Sequence, residues 1–264
     1  MLPIVGIVLV PGILWGWLFY HAQRYKKVYL PLLLLLFIGG MGSGLLALVL
    51  NHAVEKYTLF WPDALWSQII VFGKSIPLFS SGFWFFVGFN EEFAKLLILL
   101  VVVYPSRHLE EAFDGILYAA VVSVGFATLE NFYYLDQYGL AVVAARTVIT
   151  IPAHAFMSVP MGYYVARSRL LLEAGNGNKF SFYLPMMTII QGWFISAFLH
   201  GLYDFFLSVK MERTAYIQIV VMGGISFWLS RIALRESRWQ SLGDSTACMA
   251  TPVSLLTVKL TKER

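Results

Sequence analysis

The chain has 264 residues, 59% of them hydrophobic and only 13% charged, with a mean hydropathy of +0.71. A soluble domain carries about a quarter charged residues, so this composition excludes an ordinary soluble globule. The net charge of +4 comes from Lys and Arg in short loops between apolar blocks, a membrane-orientation signal rather than a nucleic-acid footprint, so no nucleic-acid partner is expected.

The apolar residues come in blocks of roughly 20, the length a helix needs to cross about 30 Å of hydrocarbon. Seven blocks predict an all-α fold, a polytopic transmembrane helical bundle, with spans at 3–20, 29–50, 83–104, 114–135, 141–166, 183–208 and 216–234. The first lacks a basic stretch before it and is long enough to remain as an anchor. The loop "HAQRYKK" (21–27) follows, with three basic residues. In span two, "GGMGSG" (39–44) places Gly40 and Gly44 at the small-x-x-x-small spacing that lets helices approach closely. Segment 51–82 is the longest connection; Phe60, Trp61 and Trp66, with the run Phe83 to Phe86, read as an interfacial belt, with substrate gating as the other reading.

Spans three to six carry ionisable residues. Glu91, Glu92 and Lys95 lie in span three; Glu130 and Asn131 lie in span four, with Asp114 at its start. Span five has His154 between Pro152 and Pro160, and Arg146 near its start; span six has His200 and Asp204. Arg146 and Arg231 read as snorkelling or boundary residues, and His52 and His108 as loop residues. The loop 166–179 again carries three basic residues, and "RESRW" follows the last span, whereas Lys56, Lys74, Lys210 and Arg213 are spread thinly on the other side. Positive-inside bias then favours N-out/C-in. The bundle is expected over 1–235, with 236–264 a polar, poorly ordered C-terminal tail. The single cysteine, Cys248, permits neither an internal disulfide nor a cysteine-based metal site.

A charge near the bilayer centre costs several kcal/mol, so such residues face the bundle interior and find partners. Lys95 is one turn from both glutamates, so it can pair with either and leave the other to face a site. His200 and Asp204 are four residues apart on one face, spacing that suits two metal ligands or an imidazole oriented by a carboxylate. At 1.5 Å per residue, Glu91 and His200 lie roughly 12 Å from one surface, Glu130 roughly 8 Å, Asp204 roughly 6 Å and His154 roughly 20 Å. Three helices thus place polar groups at similar depth, with His154 below them.

The available chemistry is narrow. No thiol lies in a span, no Gly-x-Ser-x-Gly elbow accompanies Ser123, Ser158 or Ser196, and no nucleotide-binding glycine motif is present. Glutamate, histidine and aspartate remain, a set that can activate water with a carboxylate base and either a bound metal or histidine donors at the oxyanion.

Four motifs occur in order: "EEFAK" (91–95), "GFATLEN" (125–131), "HAFMSVPMG" (154–162) and "HGLYD" (200–204). They resemble those of PrsW-family intramembrane proteases and, more distantly, type II CAAX prenyl proteases; the motif core covers about 91–204. The resemblance implies a peptidase of the bacterial cytoplasmic (inner) membrane, usually classed as a metallopeptidase, that cuts a single-pass anti-sigma-factor-like membrane protein near its extracytoplasmic face. By motif position it implies Glu91 and Glu92 as the catalytic pair, one of them activating the water, with Glu130, His154, His200 and Asp204 completing the site; Glu130 and His200 are expected to be catalytic too, and His154 and His200 would bind Zn²⁺ or hold the oxyanion, with Asp204 orienting or ligating. Lys95 and Asn131 take structural or ion-pair roles. A metal-free hydrolysis by glutamate-activated water stays open. Two rival functions are a non-catalytic scaffold or receptor for partner helices and a cation-coupled transporter.

Overall fold

The computed structural model describes residues 2–22, 28–58, 68–71, 74–174 and 180–241. Among these it contains seven long helices: α1 (Leu2–Ala22), α2 (Leu30–Thr58), α3 (Leu78–Ile98), α4 (Ala112–Tyr138), α5 (Leu140–Ala174), α6 (Phe180–Ser208) and α7 (Glu212–Ser241). The expected all-α bundle is therefore present, with one small addition. Strands β1 (Gln68–Val71) and β2 (Lys74–Pro77) pair antiparallel in the α2–α3 connection. Phe60, Trp61, Trp66 and the tail from 242 lie outside the described residues, and α7 itself continues through Ser241.

Among the described residues, four helices are long and apolar enough to cross a membrane: Leu30–Lys56, Ala112–Tyr138, Leu140–Glu173 and Glu212–Glu236. Large apolar side chains such as Ile38, Val49, Val148 and Val220 are exposed on their outer faces. A water-soluble protein would bury these; a bundle in lipid presents them to hydrocarbon.

The helices alternate in direction. Gly40 meets Val122 and Gly44 meets Leu129, so α2 and α4 run parallel. Gly115 meets Gly162 while Glu130 meets Arg146, so α4 and α5 run antiparallel. The α2–α3, α4–α5 and α6–α7 connections therefore share one end, called here the upper end. Gly139 makes the tight α4–α5 connection at φ +79°, a left-handed conformation that favours glycine.

α4 is the central element, buried along most of its length. Between Asp114 and Glu130 it carries no charge, so every face can be covered. α2 lies directly on it: a Cβ at Gly40 would strike the Val122 carbonyl, and one at Gly125 the Phe37 carbonyl. That contact fulfils the close packing expected of the glycine patch. Asp114 is no site residue. It accepts hydrogen bonds from the Glu110 and Glu111 N–H groups at 3.0 Å each and forms a capping box at the start of α4. Pro160 cannot bond the Phe156 carbonyl one turn back, and Ser226 of α7 donates to that carbonyl at 2.9 Å instead.

Candidate active site

The site is built where α3 and α6 touch backbone to backbone. A Cβ at Gly88 would collide with the Gly201 backbone, and one at Gly201 with the Phe85 carbonyl. One turn below Gly88, this approach sets Glu91 and Glu92 against His200 and Asp204.

Glu92 is the hub. It is fully buried, and Oε1 accepts from Lys95 Nζ at 2.7 Å and lies 2.9 Å from His200 Nδ1. Oε2 accepts from Ser158 Oγ at 2.7 Å. Both oxygens are thus engaged by three helices. Lys95, also fully buried, reaches His154 Nδ1 at 3.2 Å and sits 4.2 Å above the Phe126 ring. The choice left open by the sequence is therefore resolved structurally: Lys95 pairs with Glu92, and Glu91 is the carboxylate that turns away.

Glu91 lines a cavity between α2, α3 and α4 together with Glu130. Its Oε2 lies 3.5 Å from His200 Nε2, which is also 3.7 Å from Asp204 Oδ2. Glu130 Oε2 contacts His154 Nε2 at 2.9 Å and Arg146 Nη2 at 2.7 Å. Both contacts use Oε2, and Glu130 also lines the cavity. Arg146 also donates from Nε to Asn131 Oδ1 at 2.9 Å and stacks on Tyr134 at 3.6 Å.

Three expectations change here. Arg146 is not a boundary residue; it holds Glu130. Glu130 and Arg146 each stand eight residues from Tyr138, so the antiparallel helices carry them to one level. His154 is not below the cluster either. Its ring packs edge-on against His200 at 4.8 Å and touches Glu130. Helical side chains lean toward their own N-termini, so on antiparallel helices Glu130 and His154 lean toward each other and close the offset in backbone depth. His52, expected in a loop, stands on α2 and lines the cavity.

Ser158 was missed by sequence reasoning. Its signal was available: it follows His154 by four residues and so shares its face.

Glu91, His154 and His200 each offer a donor, all within 4.8 Å of one another. Two imidazoles and a carboxylate form a set suited to a divalent metal with an open position. His200 is arranged like a metal-bound histidine, with Nδ1 on the Glu92 carboxylate and Nε2 facing Glu91 and Asp204. His154 fits on one condition. Lys95 and Glu130 occupy its two nitrogens, so ligation through Nε2 exchanges the Glu130 contact for the metal.

A membrane helical bundle with this buried glutamate–histidine constellation beside a cavity defines a class: hydrolases that work inside the bilayer. Residues 29–229 match the PrsW family intramembrane metalloprotease profile. The chain belongs to that family and is a multi-pass intramembrane protease that acts on membrane protein in a lipid environment. It is similar to "Protease PrsW" of Bacillus subtilis, 29% identical over 217 residues, 82% of this chain and 88% of the relative. The protein of the same name from Shouchella clausii is 31% identical over 232 residues, 88% and 95% of the two chains. That of Geobacillus kaustophilus is 29% identical over 253 residues, 96% and 98%. No solved structure matches the chain significantly.

Proposed function

We propose that the protein cuts a single-pass, anti-sigma-factor-like membrane protein near the extracytoplasmic face of the bacterial cytoplasmic membrane. The observation that carries this reading is the cavity in the upper half of the bundle, with Glu91 and Glu130 in its wall. The basic residues Arg107, Arg167 and Arg169 belong to a connection or a helix end at the opposite end. Positive-inside bias makes that end cytoplasmic and the upper end external, hence N-out/C-in.

Glu91, His154 and His200 would hold the metal, and zinc suits this donor set. When bound, it would supply Lewis-acid polarisation of the peptide carbonyl and a more acidic water. Glu130 is the general base in this arrangement. As water forms its C–O bond to the carbonyl carbon, its proton passes to Glu130 Oε1. When the C–N bond breaks, Glu130 returns that proton to the leaving amine. Arg146 holds Glu130 in place through Oε2, with or without the His154 contact. Glu92 fixes the His200 ring and neutralises Lys95, Asp204 stands beside His200 Nε2, and Asn131 anchors Arg146.

A second reading is favoured by the full engagement of His154. If Lys95 and Glu130 keep both of its nitrogens, hydrolysis is metal-free, with Glu91 activating the water and His200 Nε2 facing the oxyanion. The test is the metal content of detergent-purified protein, wild type against His200→Ala, alongside cleavage. Stoichiometric zinc that is lost with His200 supports the first reading; full activity at negligible metal after chelation supports the second. Undiminished cleavage by Glu91→Ala, Glu92→Ala and His200→Ala alike would sink both.

A further inference from the structure

α7 touches the bundle along one narrow seam. Among its described residues the buried ones are Ala215, Gln218, Met222, Ser226, Ala233 and Glu236, a spacing that keeps one helix face. Its other faces carry Ile217, Val220 and Phe227, exposed where lipid lies. Along the seam, apolar and polar residues alternate. Apolar packing alone can hold a helix in lipid, and a polar side chain there is costly. The polar residues of the seam therefore call for a reason.

Each of them grips a different place. Gln218 donates from Nε2 to the Leu199 carbonyl at 2.6 Å, directly before His200. Ser226 donates from Oγ to the Phe156 carbonyl at 2.9 Å, between His154 and Ser158. Pro160 has no N–H to offer that carbonyl, so the turn that follows His154 is held from α7 instead. Between the two grips, Met222 packs with Ala153 and Met157. Glu236 acts elsewhere. It accepts from Tyr163 Oη at 3.4 Å and from Arg167 Nη1 at 3.2 Å, and Arg167 stands about 20 Å along α5 from His154 at 1.5 Å per residue.

Gln218 distinguishes positioning from stabilising. Its Oε1 is buried with no hydrogen-bond partner among the described residues. The Leu199 carbonyl lies inside α6, where the backbone can satisfy it. A leucine would fill the same space without a stranded polar atom. Stability alone gives Gln218 no advantage over leucine. What its amide adds is a fixed point on the backbone beside His200.

Resting on the roles given above to His154 and His200, we infer that α7 is a brace for the two histidines. Gln218 and Ser226 are positioning residues. They set the depth and angle of the two imidazoles by holding the backbone beside each, so that both rings meet Glu91 and Glu130.

The test measures kcat and KM of the full chain in detergent on a quenched fluorescent peptide of transmembrane composition, with a thermal unfolding midpoint for each variant. Gln218→Leu should lower kcat about tenfold with a midpoint no lower than wild type, since a misplacement of about 1 Å costs up to about 10²-fold. Ser226→Ala should also lower kcat about tenfold, and both variants should keep KM within about twofold of wild type. Glu236→Gln should lower the midpoint and leave kcat within about twofold, because its contacts are remote from the site. Wild-type kcat in both Gln218→Leu and Ser226→Ala, or a loss in Glu236→Gln as large as theirs, overturns this inference and leaves the site reading standing. His200→Ala cutting as fast as wild type overturns the site reading and this inference with it.

Discussion

Glu91 and Glu92 are neighbours in the chain, yet they belong to different regions. Glu92 is sealed among Lys95, Ser158 and His200, with both oxygens spent on hydrogen bonds. Glu91 faces the cavity with Glu130, which Arg146 and His154 hold through Oε2. A carboxylate saturated with donors is a poor base and a good anchor, because taking a proton would break its contacts. A carboxylate with a free oxygen beside open space can exchange protons with water. The bundle thus separates a carboxylate that holds helices together from one that faces the cavity, across a single peptide bond.

That division can be broken from the cavity side first. Glu130→Gln should lower hydrolysis by about 10²–10⁴, the usual worth of a general base, with the folded bundle retained in a thermal scan. Breaking the anchor should instead cost stability. Glu92→Ala leaves the Lys95 ammonium buried and unpaired and should destabilise by about 3–5 kcal/mol, read as a lower midpoint of detergent unfolding. The double change Glu92→Met with Lys95→Met should recover part of that loss, since it removes the unpaired ammonium but leaves Ser158 and His200 without their carboxylate acceptor. If the double variant is as unstable as Glu92→Ala, the buried Lys95 charge is not what the single change exposes.

Smaller changes sharpen the boundary between the two regions. Ser158→Ala removes one hydrogen bond to a charged oxygen and should cost about 1.5–3 kcal/mol of stability, while Lys95 and His200 still hold Glu92. Arg231 is exposed and packs loosely on Phe227 at 5.7 Å. Arg231→Ala should therefore fall within about 0.5 kcal/mol of wild type, in contrast to any change at Arg146.

The fold was legible because lipid imposes a plain pattern: apolar blocks of helix length, separated by loops with basic residues. The polar cluster was legible for the same reason, since Glu91, Glu92, Lys95, His154 and His200 stand out against that background. What stayed hidden depended on how helices face one another. Sequence spacing places Lys95 one turn from both glutamates, and only the Gly88–Gly201 contact brings His200 to Glu92. Counting rise per residue put His154 too deep, because it ignored the lean of side chains on antiparallel helices. Arg146 was read from its place near a helix end, while its partner was fixed by the tight turn at Gly139. The strands at Gln68–Val71 and Lys74–Pro77 were hidden in a segment read as a connection, where four-residue strands leave little periodic signal.

The most direct measurement is cleavage of a co-expressed single-pass membrane protein by wild type, Glu130→Gln, Glu91→Gln and Arg231→Ala, each shown to be folded by detergent size exclusion. Wild type and Arg231→Ala should cut alike, and both glutamate variants should leave the substrate intact. Glu130→Gln cutting at the wild-type rate would contradict the account.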